Sequence, residues 1–456
     1  MRNGPWKWLP AAALLIAAAA HAGTFDRTLD NGLKVIVKED HRAPVVVQQI
    51  WYRVGSMDEV TGKTGISHAL EHMMFKGTKT VPTGQFSSRI AAAGGRENAF
   101  TSYDYTAYFQ QLHESRLPLA MELESDRMQN LVVSAEEFGK EIKVVREERR
   151  WRTDDDPHSL VQEQLMASAF EAHPYHHPVI GWMDDLLKLS AGDVKDWYTR
   201  WYDPSNAVLV IAGDVDPKAV FDLAQKYYGS IPGHPLPPRR DYVEPAQLGI
   251  KRLVVKAPAE LPYLLMAYHA PVVRDPAHDW QPFALEVLAG ILNGNGAARL
   301  DKSLVREQRL ASDVEVGYDK VSRGPGLFMV AGTPSQGKTA SQLEAGIRAQ
   351  IARLAQEGVS EDELKRVKAQ VTAAEVYKRD SVFYQAMEIG QTESDGLSYK
   401  DIPLMLEKLQ AVTAQQVQTV AREVFKDDNL TVAVLDPQPL SGKHMPMMPG
   451  GGANVR

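Results

Sequence analysis

The sequence predicts an α+β fold made of two homologous α/β-sandwich halves that form a clamshell. Three observations carry this. Strands and helices arrive in groups, not in strict βα alternation, which favours helices layered on one sheet per half. The halves look like copies: SAGDVKDWYTRWYDPSN (190–206) and TAQQVQTVAREVFKDDN (413–429) align without a gap, and each runs into a strand, AVLVIAG and LTVAVLD. A proline-dense segment, IPGHPLPPRRDYVEP (231–245), lies near the middle and reads as the linker between them.

The elements follow in order. Arg2 and Lys7, the apolar run LPAAALLIAAAA (9–20) and the small residues of AHA (20–22) read as an export signal cleaved after Ala22. The run is too short to span a bilayer, so the expectation is a periplasmic or secreted protein with no stable membrane insertion. After the turn residues Asp30-Asn31-Gly32, GLKVIVKED and VVVQQIWYRVGS alternate as strands. Residues 66–76 form a helix, and 83–93 a second one stopped by Gly94-Gly95. ENAFTSYDYTAYFQQL (97–112) is aromatic and β-branched and reads as one or two strands. Helices are expected over 117–132 and 134–152. A weaker repeat pairs the second of these with the stretch from 360 onward, since both open on an S-x-x-E capping box, Ser134/Glu137 and Ser360/Glu363. The layout is therefore signal 1–22, first half 23–230, linker 231–247, second half 248–438 and a low-complexity, disordered tail 439–456.

Composition narrows the function. The chain of 456 residues is too long for one ordinary core. A net charge of −7 and the lack of a long basic run exclude nucleic acid as a partner. There is no cysteine, so disulfides and thiolate metal sites are excluded and any metal must be held by His, Asp or Glu.

GISHALEHMMFKGT (65–78) supplies such residues. On a helix His68 and His72 lie one turn apart on one face, and Glu71 lies beside them. Two imidazoles can meet one zinc ion, and a neighbouring glutamate can take a proton from water, the arrangement of a metal-dependent hydrolase. A catalytic zinc needs a third ligand. The helix EEFGKEIKVVREERRW offers Glu141 and Glu148, seven apart on one face, with Glu147 turned away. Spacing alone also fits a solvated charged face. HPYHHP (173–178) offers His173, His176 and His177, which read as structural, since no carboxylate stands at ligand spacing to them.

HALEHMMFKGT, GGRENAFTSYDYTAYF and EIKVVREERRW, in this order and spacing, resemble the inverted-zincin metallopeptidases that include pitrilysin, insulysin and the mitochondrial processing peptidase. The resemblance covers nearly the whole chain after the signal. It implies a mitochondrial-processing-peptidase-like fold, one Zn2+ on His68, His72 and Glu148, Glu71 as general base, and Glu141 as a supporting acid. It also implies that Asn98, Ala99 and Phe100 lie on an edge strand to which a substrate peptide adds through main-chain hydrogen bonds.

The second half has no equivalent site: Ala374 lies opposite Glu148 when Ser360 is matched to Ser134, and 280–296 holds no histidine. It is expected to close over the first half as the other wall of a chamber. Relatives with both halves in one chain take a substrate-binding arginine and tyrosine from this half. Here Arg306 matches with a one-residue shift, Ser312 stands where the tyrosine is expected, and Tyr318 lies six residues further on. The family also works in pairs, so the expected partner is a zinc-less paralogous subunit that supplies Arg/Tyr, or a second copy of this chain. The expected function is zinc-dependent endopeptidase action on oligopeptides or unstructured segments; a non-catalytic peptide-binding or assembly subunit is the alternative.

Overall fold

The computed structural model describes residues 23–440. The expected export signal (1–22) and residues 441–456 of the expected tail lie outside the described residues. Strands β1 (Thr24–Thr28), β2 (Lys34–Glu39), β3 (Val45–Tyr52), β4 (Arg96–Thr101), β5 (Thr106–His113) and β6 (Ala207–Gly213) form one sheet in the order β1-β2-β6-β3-β5-β4. Strands β7 (Lys251–Pro258), β8 (Tyr263–Ala270), β9 (Ala311–Tyr318), β10 (Gly326–Pro334) and β11 (Leu430–Gln438) form the other in the order β7-β11-β8-β10-β9. The two orders are the same plan: β2 runs parallel to β6 as β7 does to β11, and the remaining neighbours are antiparallel. Only β1 lacks a counterpart.

The helices of the first half are α1 (Ile66–Met73), α2 (Gln85–Ala92), α3 (Leu117–Asn130), α4 (Ala135–Arg149), α5 (Pro157–Ala169), α6 (Met183–Lys188), α7 (Ala191–Trp201) and α8 (Pro217–Tyr228). Those of the second are α9 (Gln281–Leu292), α10 (Ala340–Glu357), α11 (Glu361–Lys378), α12 (Val382–Ser394), α13 (Ile402–Ala411) and α14 (Ala414–Val424). The matched helices α7 and α14 both start on complete capping boxes, Ser190 with Asp193 and Thr413 with Gln416. The boxes expected at Ser134 and Ser360 form by half. Each serine caps its N3 amide, but Glu137 turns to Lys140 and Glu363 to Arg299, because a cation lies nearer than the cap.

All seven residues of β6 are buried, so both faces of its sheet need cover. Alternation divides the strand residues. Val35, Val37, Ile50, Leu209 and Ile211 face a core shared with α1, α3, α4, α7 and α8. Ile36, Val47, Trp51, Val208 and Val210 face the opposite way, against Ala386 and Ile389 of α12. Thus a helix from the second half covers the back of the first sheet. The reverse also holds, since α5 places Val161, Leu165 and Ala169 against Leu265, Ala267, Ala433 and Leu435 of the second sheet. The halves interlock by exchanging these helices. Gly390 of α12 makes the fit possible, because a Cβ there would lie 2.1 Å from the Trp51 indole nitrogen.

The proline-dense segment has no regular structure but is tied down. The Glu244 carboxylate accepts backbone N–H groups from Glu171, Ala172 and His173 at 2.7–3.0 Å, and Arg239 pairs with Asp58.

Candidate active site

Helix α1 starts under tight control. Gly65 adopts φ +82°, and an added Cβ would sit 2.4 Å from the Ile180 carbonyl oxygen. With no side-chain cap at Gly65, the buried Glu59 serves instead: its two oxygens accept the Gly65 and Ser67 N–H groups at 2.8 Å each. Ile66, Ala69, Leu70 and Met73 are buried, which turns His68, Glu71 and His72 toward α4. The helix ends at Met73, three residues before the sequence-based limit.

Helix α4 buries Phe138, Ile142 and Val145 and presents Glu141 and Glu148 to α1. His72 Nε2 lies 3.2 Å from Glu148 Oε2 and His68 Nε2 lies 3.9 Å from the same oxygen. One ligand atom from each of His68, His72 and Glu148 lies within 4.8 Å of the others, and among the described residues no other group of three such side chains does so. The other nitrogen of His72, Nδ1, meets Glu141 Oε2 at 3.2 Å, and Lys76 holds Glu141 Oε1 at 2.7 Å. Arg152 holds Glu148 Oε1 at 2.9 Å. It belongs to a π-helical turn, Arg150–Asp154, that replaces the expected end of α4. Glu71 Oε2 accepts the Thr101 hydroxyl at 2.5 Å.

Burial pushes His68 down to about 4, so its imidazole is neutral. Burial also opposes charge on His72, but Glu141 and Glu148 outweigh it and hold the ring up at about 9. Burial raises Glu148, and His72, His68 and Arg152 overcome that and hold it at about 2. Burial raises Glu71, with Thr101 pulling the other way.

These groups line an open cleft of about 880 Å³. Every described residue lining the cleft lies between His68 and Ile180, and α12 of the second half covers the far face of the first sheet. A groove of similar volume, about 890 Å³ between α10 and α14, is lined by alanines and by arginines such as Arg252, which pairs with Glu344. It offers no comparable set of reactive groups.

The sequence-predicted substrate residues divide. Asn98, Ala99 and Phe100 lie on β4, the outer strand of its sheet, and line the cleft. Asn98 Oδ1 accepts the Ala99 N–H at 2.9 Å, and the Phe100 ring packs edge-on against Trp51 at 5.4 Å. Arg306 is not brought here, since its guanidinium lies beside Gly296. Ser312 Oγ bonds Asp313 and the Thr333 carbonyl, and Tyr318 donates to the Pro271 carbonyl. His173 accepts the Tyr175 N–H and joins no metal-ligating group. Sequence reasoning missed Lys76, Arg152, Thr101 and Glu59. Lys76 follows His72, and Arg152 follows Glu148, by one helical turn, a legible signal. Thr101 and Glu59 come close only through the fold.

Residues 34–181 match the family described as Insulinase (Peptidase family M16), and 188–371 match its Peptidase M16 inactive domain. The chain is 31% identical over 435 residues to "Zinc protease PqqE" of Helicobacter pylori, covering 92% of this chain and 96% of that one. It is 25% identical to "Uncharacterized zinc protease YmxG" of Bacillus subtilis, covering 90% and 97%. The crystal structure of a protease from Helicobacter pylori superposes with a TM-score of 0.87 at 29% identity, covering 91% of this chain and all of that one. The chain belongs to the M16 peptidase family.

Proposed function

We propose that the chain is a zinc-dependent endopeptidase whose first half, 23–230, carries the chemistry, while 248–438, joined through 231–247, is its inactive counterpart. One observation carries the reading: His68, His72 and Glu148 converge within 4.8 Å with Glu71 beside them. The donor set suits zinc, since it offers two imidazoles and one carboxylate and, among the described residues, no fourth protein ligand. Glu141 fixes the His72 tautomer from behind, as partners of metal-bound histidines do.

Bound zinc supplies a Lewis acid that acidifies water and polarises a carbonyl. The chain's own residues do the rest. β4 offers its open edge to an extended peptide, so that main-chain hydrogen bonds set the register and side chains matter less. Among the described residues Glu71 Oε1 accepts no hydrogen bond, which leaves it to take the proton of the attacking water. As the C–N bond breaks, the same oxygen can pass that proton to the leaving amine, giving a carboxylic acid and an amine.

The placement of Arg306, Ser312 and Tyr318 away from the cleft favours a second subunit, a zinc-less paralogue or another copy, as the source of substrate-binding groups. The signal-like residues 1–22 support an exported protein. The rival reading is a peptide-binding subunit without turnover. Glu71→Gln tests the choice: the variant should keep stoichiometric zinc by elemental analysis and lose hydrolysis of a quenched peptide. Equal turnover in variant and wild type removes Glu71 from the base role.

A further inference from the structure

Strand β4 holds two things at once. Its outer edge is open for a peptide, and its last residue, Thr101, reaches into the catalytic cleft. Side chains alternate along a strand. Phe100 packs against Trp51 and Tyr105 on the face toward α12, so Thr101 points the other way, toward α1. There its hydroxyl donates to Glu71 Oε2 at 2.5 Å, a charge-assisted bond when the carboxylate is ionised. The hydroxyl therefore occupies one oxygen of Glu71 and leaves the other without a hydrogen bond among the described residues. Thr101 pairs with Thr106 of β5, whose own hydroxyl donates to the Val54 carbonyl at 2.9 Å, so the strand end that carries Thr101 is anchored from below.

We propose that Thr101 is a positioning residue for the general base: it ties the Glu71 carboxylate to the substrate-binding strand, so that the strand registering the peptide also aims the atom that takes the proton. The inference rests on the endopeptidase reading above. A freely rotating Glu71 would still bind in the same cleft but spend less time aimed at the water. Small misplacements of a catalytic group cost on the order of tenfold to a hundredfold in rate.

The test compares Thr101→Val, which keeps the shape and removes the hydroxyl, with Thr101→Ser, which keeps the hydroxyl. It uses the full chain in whichever assembly, alone or paired, hydrolyses the quenched peptide. Thr101→Val should lower kcat about tenfold to a hundredfold, leave KM within about twofold and retain zinc. Thr101→Ser should recover most of the rate. An unchanged kcat in Thr101→Val, or a loss that Thr101→Ser does not restore, overturns the inference. A kcat loss accompanied by loss of zinc assigns Thr101 a structural role and also overturns it. A thermal-unfolding cycle of Thr101→Val, Glu71→Ala and the double variant reads the contact without turnover, since alanine leaves the Thr101 hydroxyl no acceptor there. Non-additive shifts are expected, and strict additivity overturns the proposal. If the wild-type chain hydrolyses no peptide in any assembly, the endopeptidase reading fails, whereas the contact between Thr101 and Glu71 is still read by the unfolding cycle, so the two failures are distinct.

Discussion

His72 is gripped from both ring nitrogens, by Glu148 at Nε2 and by Glu141 at Nδ1, and Glu141 is itself held by Lys76. In the proposed zinc site this chain of contacts leaves Nε2 as the ligand nitrogen. Glu141→Gln keeps the shape and removes the charge, and is expected to weaken zinc binding about tenfold to a hundredfold, measured by competition with a chromogenic chelator. At this scale the sequence was informative wherever helical spacing decides contact: His68, Glu71 and His72 share one turn. Glu148 was harder, because a charged face on α4 fits open solvent equally well, and only its meeting with α1 distinguishes them. Thr101 and Glu59 carried no local signal, since each reaches the site across strand register or loop packing.

The elements show where amphipathic patterning is informative and where it stops. Strands β2 and β3 were legible from alternation and the repeat was legible in α7 and α14. The continuous burial of β6 implied cover on both faces, but no pattern in α5 or α12 says which sheet each will cover. That choice depends on shape, and Gly390 against Trp51 is its sharpest point. Gly390→Ala forces the indole or the helix to move and is expected to cost about 1–3 kcal/mol in denaturant unfolding. A neutral effect would show that the exchange packs loosely. Likewise the π-helical turn over Arg150–Asp154 leaves no mark in the helical periodicity of 134–152, although the i, i+4 spacing of Glu148 and Arg152 does.

The whole molecule is one interlocked body. Besides the exchanged helices, polar contacts cross between halves: Asp40 accepts from Gln385 at 2.8 Å, Lys34 pairs with Glu393 at 2.7 Å, and Arg323 pairs with Asp58 at 2.9 Å. Calorimetry should therefore show a single unfolding transition, and residues 23–230 alone should not fold, since the back of their sheet would lose α12. Two separate transitions would contradict this. The Arg42 guanidinium, against burial and with help from Gln385, holds Asp40 down at about 2. A depressed carboxylate stabilises the folded state above its unfolded value of 3.8 and loses that contribution as pH falls through about 2. Asp40→Asn should thus flatten the fall in thermal stability between those values and leave the slope near neutral pH unchanged. The division into similar halves was readable from the repeat; their mutual exchange of α5 and α12 was not.

The central claim is that His68, His72 and Glu148 hold a zinc ion that serves peptide hydrolysis. The most direct measurement follows zinc content and cleavage of a quenched peptide panel in one preparation, alone and with a zinc-less paralogous subunit, through chelation and zinc readdition. The expected outcome is stoichiometric zinc, cleavage that is lost on chelation and returns with zinc, and neither zinc nor cleavage in His72→Ala. Cleavage that survives chelation, or stoichiometric zinc retained by His72→Ala, would contradict it.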